Sequence, residues 1–166
     1  GDGDSVLESF QLFVNQIKAG GFFIQKKGLT LHSEIGDATF GIDQGDFQAH
    51  NIRIEDHRMI FDMKYPGGEV KDIPMRIPGF HNIENALAAA ALAMQVGVTG
   101  EEIKVGIASF LGVKRRFEYH VETDEHVMID DYAHHPTEIA ACLKSVKALY
   151  PGKKITAVFQ PHLFSR

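Results

Sequence analysis

A single cysteine, Cys142, stands in a chain of 166 residues. No disulfide framework is available, so stability has to come from a buried core, as suits a reducing cytoplasm. Long hydrophobic runs are also missing. The longest, Ala86 to Ala93, is too short and too alanine-rich to span a bilayer, and no signal peptide opens the chain. Positive charge is in deficit, with a net charge of -5, which argues against a general nucleic-acid binder while leaving room for local basic pairs. An initiator methionine is absent and a helical pattern begins almost at once, as expected of an interior cut. What remains is the composition of a soluble intracellular protein, long enough for one large domain or parts of two.

The densest chemistry lies at Asp130-Asp131-Tyr132-Ala133-His134-His135-Pro136-Thr137-Glu138. It follows Val127-Met128-Ile129, a short apolar run expected to be a buried strand. It precedes a helix whose apolar positions Ile139, Cys142, Leu143, Val146 and Leu149 recur at three- and four-residue spacing. Pro136 suits the first turn, where its missing N–H costs nothing, and Glu138 suits the positive end of the dipole. Two aspartates, a phenol and two imidazoles thus share a strand-to-helix loop, where α/β proteins keep their chemistry. After the turn Tyr150-Pro151-Gly152, the run Ile155 to Phe159 predicts a second buried strand, completing a β-α-β unit. Crossover units make parallel strands, so Gln160-Pro161-His162-Leu163-Phe164-Ser165-Arg166 is expected to emerge beside Asp131 and His134.

Upstream, Ser5 and Glu8 have capping-box spacing, and Val6, Phe10, Phe13 and Ile17 predict one core-facing stripe ending at Gly20-Gly21. Phe22 to Gln25 predicts a strand. From about Phe40 to Ile77 the period becomes two, as in Met59, Phe61, Met63 and Tyr65, which predicts a small antiparallel meander serving as scaffold or cover. His50 and His57 fall there as exposed strand or turn residues. After Pro78-Gly79-Phe80, the stretch His81-Asn82-Ile83-Glu84-Asn85 opens an alanine-rich helix that can approach a sheet closely. Asn82 and Asn85 share its N-terminal face. One of them caps the helix, or their amides read the edge of a heterocycle. Thr99 and Glu102 form another capping box, for a helix carrying Ile103, Ile107 and Phe110 towards a core. Arg115-Arg116 then follow Gly112. They are a solvated basic turn or, at a hinge between domains near Phe117, partners for phosphate oxygens.

Four stretches taken together resemble successive motifs of the Mur ligases of bacterial cell-wall synthesis: Pro78 to Ala86, Gly112 to Glu118, Asp130 to Glu138, and Phe159 to Arg166. Any one is moderately specific; four in order are strong. Gln160 to Arg166 is most similar to the branch that joins L-alanine to UDP-N-acetylmuramate, the alternative being the recycling branch that attaches a tripeptide. The resemblance implies an α/β fold: residues 1–116 as the later part of a central ATPase domain, and 117–166 as the first β-α-β of a Rossmann-like, amino-acid-binding C-terminal domain. The phosphate loop and metal ligands are then expected upstream of Gly1, and no G-x-x-x-x-G-K-[ST] run occurs in the chain. The implied reaction uses ATP and Mg2+. The UDP-N-acetylmuramate carboxylate attacks the γ-phosphate to give an acyl phosphate and ADP. The alanine amine then attacks the acyl carbon, and phosphate leaves.

By the same resemblance, Asn82 and Asn85 match the asparagines on the adenine, Arg116 the arginine on the phosphates, and Asp131 the aspartate on the ribose. Tyr132, His134, His162 and Arg166 match the amino-acid pocket, with Arg116 and His134 nearest the chemistry. His135 is expected to be a helix-entry residue, and His120 and His126 to flank a charged hairpin turn without function. No metal site is assigned, and no nucleic-acid or membrane partner. Two rivals are weighed: a zinc hydrolase built on His134, His135, His162 and Asp131, and a non-catalytic nucleotide-binding module that self-associates through exposed apolar faces. The fragment alone is expected to be inactive.

Overall fold

The computed structural model describes residues 2–161. In chain order the elements are α1 (Asp2–Val14), β1 (Phe23–Lys26), β2 (Asp37–Ile42), β3 (Phe47–Glu55), β4 (Arg58–Tyr65), β5 (Gly68–Met75), α2 (Phe80–Gln95), α3 (Gly100–Ser109), β6 (Glu118–Glu122), β7 (Val127–Asp130) and α4 (Pro136–Leu149). Strands β1 to β5 form one sheet in sequence order. Its β1–β2 and β2–β3 pairs are parallel, and β3–β4 and β4–β5 antiparallel. The link from β2 to β3 is too short for a helical crossover. It loops through Asp43 and Gly45, both at positive φ, and is tied by the Asp46 carboxylate, which accepts the Thr39 N–H and hydroxyl at 2.8 Å each.

The expected meander is β3–β5, but it is half of a larger sheet and carries the main core rather than covering it. The period-two row Met59, Phe61 and Met63 meets Val70, Ile73 and Met75 of β5, with Ile83, Leu87 and Ala90 of α2 and Ile103 of α3 closing the cluster. Ala90 and Ala91 are buried, so small side chains do let α2 lie close on the sheet. On the other face, Asp62 is buried and accepts from Asn51 Nδ2 at 2.9 Å and the Asp72 N–H at 2.8 Å. Burial pushes its carboxyl up, but those two bonds and the Arg53 charge outweigh it and leave the acid below its ordinary range. Asn51 and Asp72 both have positive φ, and register shifts fall beside them. The bulges aim polar groups at the buried carboxylate.

Helix α3 starts with the expected capping box, Thr99 and Glu102 each bonding the other's backbone N–H. Ile103 reaches the core, whereas Phe110 lies beyond the helix and is exposed. Helix α1 departs further from expectation. Val14 is buried, but Phe10 and Phe13 are 57% and 70% exposed. The reason is the attachment point: Gln11 gives its amide N–H to the His32 carbonyl at 2.7 Å and accepts the His32 N–H at 2.9 Å. A glutamine, not the phenylalanine stripe, ties α1 to the loop between β1 and β2. Ser5 lies inside α1 rather than at its start.

Strands β6 and β7 form a separate hairpin, closed where the Thr123 N–H meets the His126 carbonyl at 2.9 Å. Helix α4 packs on it in a second cluster of Phe117, Leu149 and Tyr150, joined by Ile77 from the end of the first sheet. The strand predicted at Ile155 to Phe159 does not form: residues 151–161 hold no strand, and Val158 is 97% exposed. A strand needs a hydrogen-bonding neighbour. Here a groove of about 710 Å³ separates this segment from Val127 and Ile129 of β7, so the β-α-β unit stands as hairpin, helix and extended tail.

Candidate functional site

The N-terminus of α4 is organised by its own sequence. His135 is the N-cap, its Nδ1 accepting the Thr137 N–H at 3.3 Å, with Pro136 in the first turn. Glu138 closes the box by accepting the N–H groups of His134 and His135, each at 3.2 Å. The His135 bond first, and the His134 bond second, hold the Glu138 carboxyl below the usual range. His135 is thus a helix-entry residue, as its place before proline suggested. His134 stays beside the cap, its Nδ1 3.6 Å from Glu138 Oε2. Its Nδ1 lies 3.1 Å from the Tyr132 carbonyl, which puts the proton on that nitrogen, and its ring stands edge-on to Tyr132 with centroids 5.4 Å apart.

Asp131 is the pin of the site. One carboxylate oxygen accepts the Phe117 N–H at 2.9 Å and the other the Ala133 N–H at 2.7 Å. Next to it the Tyr132 N–H meets the Arg115 carbonyl at 2.7 Å. These bonds, with the Arg115 N–H on Glu118 at 2.9 Å, stabilise a loop in which Arg115 and Phe117 sit at φ 58° and 52°. Such left-handed geometry is costly for residues other than glycine and has to be imposed by surrounding contacts.

Between this loop and α2 opens a pocket of about 450 Å³. His81 and Asn82 line it from α2, Arg115 and Arg116 from the loop, Asp131, Tyr132 and His134 from the end of β7, and Thr137, Ala141, Cys142 and Ser145 from α4. Five of the residues singled out by sequence therefore converge: Asn82, Arg116, Asp131, Tyr132 and His134. Asn85, one turn further along α2, is exposed and outside the lining. Neither asparagine caps α2, whose N-cap is Gly79. Asn82 instead gives its amide to the Pro78 carbonyl at 2.7 Å. Gly79 suits its place because φ 116° is a conformation that L side chains rarely adopt. His162 and Arg166 lie outside the described residues.

Sequence reasoning passed over His81, Thr137 and Ser145. Thr137, Ala141 and Ser145 recur every four residues, a polar-to-small stripe beside the apolar one, and that spacing was the available signal. Cys142 borders both this pocket and the groove behind α4. Burial, with the charge of Asp131 adding to it, pushes its thiol up to about 11.

The donor set suits a nucleotide. An amide can read a base edge, guanidinium groups pair with phosphate oxygens, and a carboxylate accepts sugar hydroxyls. A metal is less well provided for. Among the described residues, the one group of three candidate ligands within reach of a common ion is Glu118, His120 and Asp130, and none of them lines the pocket. Of the zinc arrangement of His134, His135, His162 and Asp131, the three that are described do not bring ligand atoms within reach of one ion, and His162 lies outside the described residues.

Residues 3–93 match the Mur ligase middle domain and residues 115–163 the Mur ligase glutamate ligase domain. This chain belongs to the Mur ligase family. A UDP-N-acetylmuramate--L-alanine ligase of Phocaeicola vulgatus is 45% identical over all of this chain, which spans 37% of that relative's length. Among solved structures, the UDP-N-acetylmuramate-alanine ligase MurC of Thermotoga maritima is 31% identical with a TM-score of 0.72, over 83% of this chain and 33% of that one. A murein peptide ligase of Psychrobacter arcticus is 25% identical with a TM-score of 0.61, over 87% of this chain and 32% of that one. This Mur ligase chain thus corresponds to about a third of each relative. Its helices and mixed sheet are those of the family's α/β fold.

Proposed function

We propose that this chain is part of a cytoplasmic ligase that uses ATP and magnesium to join L-alanine to UDP-N-acetylmuramate through an acyl phosphate, in peptidoglycan synthesis. The observation that carries the reading is the pocket uniting Asn82, Arg116, Asp131, Tyr132 and His134. The similarity to alanine-adding ligases across the whole chain supports that branch. The boundary between the family's central and C-terminal domains falls near Phe117, so the pocket lies on the seam.

ATP supplies the phosphoryl group that turns the carboxylate into an electrophile. The residues of this chain bind and orient. Asn82, whose oxygen and second N–H are not used by Pro78, reads the base, with Asn85 at the rim. Asp131 keeps lone pairs for ribose hydroxyls while holding the arginine loop in place. Arg116 neutralises charge on the phosphates. Tyr132 and His134 form the wall towards the incoming amino acid, where His162 and Arg166 follow in the chain. Catalysis of this kind is positioning and charge stabilisation.

The test is an assay with ATP, magnesium, UDP-N-acetylmuramate and L-alanine, following phosphate and the amide. The full-length protein is expected to make the product, and residues 1–166 alone are expected to make none. Amide formation by residues 1–166, or acceptance of a tripeptide in place of alanine by the full-length protein, overturns the reading.

A further inference from the structure

The pocket has two sides, and its width depends on how α4 stands relative to α2. Beside the pocket, Asp131 and Tyr132 are bonded to Phe117 and Arg115 of the loop itself. Among the described residues, side chains that bridge from the first sheet to the hairpin-and-helix unit without using the loop include His57, Arg76 and Ile77. Arg76 pairs with Glu122 at 2.8 Å and lies over the Tyr119 ring at 5.5 Å, and Ile77 enters the Phe117, Leu149 and Tyr150 cluster. His57 reaches furthest. Its Nδ1 is 2.6 Å from the Leu149 carbonyl, 92 residues away in sequence, and its ring stacks on Tyr150 with centroids 4.7 Å apart.

Two features set His57 apart from a turn residue with an incidental contact. Leu149 ends α4, and the last carbonyls of a helix have no partner inside it. The acceptor requires a proton on Nδ1, so His57 supplies from another part of the fold a donor for the Leu149 carbonyl, beside the Tyr150 N–H that closes on Val146. The neutral Nδ1–H tautomer and the imidazolium both do this. The second feature is backbone geometry. Asp56 and His57 are the two central residues of the β3–β4 hairpin, between the paired Glu55 and Arg58, and both have positive φ, 47° and 59°. A turn of this type favours glycine at the second position. A histidine held there carries a backbone cost that its side chain offsets by gripping α4.

We propose that His57 is a positioning residue for the nucleotide pocket: it fixes the C-terminal end of α4 so that the other end presents Tyr132, His134 and Thr137 to Asn82 and Arg116. Helix α4 acts as a lever. Its 14 residues span roughly 20 Å, so a tilt of about 5° at the held end moves the pocket end by roughly 2 Å. The inference rests on the reading of the pocket as an ATP site, and the experiment separates the two.

In the full-length ligase, His57→Gly puts the preferred residue into the turn and removes the grip, so folding is retained. His57→Asn tolerates the same backbone and keeps a donor. Spin labels on ketone-bearing amino acids at positions 101 and 147 leave Cys142 untouched and report the α3-to-α4 distance, and ATP kinetics are measured alongside, with Arg116→Ala as control. The expected result for His57→Gly is a broadened distance distribution and a KM for ATP raised about three- to tenfold, with an unchanged or higher Tm and recovery in His57→Asn. An unbroadened distribution, or a broadened one with ATP KM unchanged, overturns the positioning role while Arg116→Ala still raises KM. If Arg116→Ala leaves ATP kinetics unchanged, it is the nucleotide reading that falls, and the distance distribution alone then decides whether His57 grips α4.

Discussion

Asp131 and Phe117 are joined by a 2.9 Å bond from the Phe117 backbone N–H to the Asp131 carboxylate, across the strand-to-loop gap that forms the pocket floor. The same carboxylate takes the Ala133 N–H at 2.7 Å, so a residue matched by resemblance to a ribose contact is also the brace of the arginine loop. Asp131→Asn presents an amide N–H to one of those donors and is expected to cost about 2 kcal/mol of stability, within the range for bonds to a charged acceptor. In the full-length ligase it should raise the KM for ATP as well. Chemical denaturation and ATP kinetics on the same variant check both; stability unchanged within error removes the brace.

Asn82 and Asn85 are separable. Asn82 lines the pocket and Asn85 stands outside the lining, so Asn82→Ala is expected to raise the KM for ATP in the full-length ligase about three- to tenfold more than Asn85→Ala. Equal effects, or a larger effect at Asn85, would show that the base lies further along α2 than the pocket does.

Glu138 ties stability to pH. Its folded-state acidity is strengthened by the N–H groups of His135 and His134, so its carboxyl is depressed relative to the unfolded chain. The contribution is fully present above the unfolded value of about 4.3 and is lost as pH falls through the lower folded value. Thermal melts from pH 6 down to pH 3 should therefore show a steeper acid decline for the native sequence than for Glu138→Gln. Parallel curves count against the cap.

Cys142 should be sluggish. With its thiol pushed up to about 11, only roughly one part in three thousand is thiolate at pH 7.5, against about a tenth for a free cysteine. Iodoacetamide labelling followed by mass spectrometry is expected to run about tenfold or more slower than for a model thiol, the higher nucleophilicity of a more basic thiolate offsetting part of its scarcity, and to accelerate with rising pH. Because Cys142 borders the pocket, saturating ATP should slow it further in the full-length ligase. Fast labelling at neutral pH would mean that α4 does not shield it.

Local pattern carried a large share of this protein. Two-residue alternation placed Met59, Phe61 and Met63 on the core face, capping chemistry placed Thr99 and Glu102 and the start of α4, and the loop after β7 was legible because polar residue types cluster there. Each of these depends on residues within a few positions of one another, where side-chain geometry follows from the backbone period alone. Tertiary structure decided what no local pattern encodes. Gln11, not Phe10 and Phe13, attaches α1. The segment at 155–159 stays unpaired because a strand exists only with a neighbour to bond. Asn82 lines the pocket and Asn85 does not, because the Arg115–Phe117 loop meets only the first turn of α2 across the pocket. His57 meets Leu149 across 92 residues, and that contact depends on how the first sheet and α4 are set against each other, a relation that spacing along the chain does not contain.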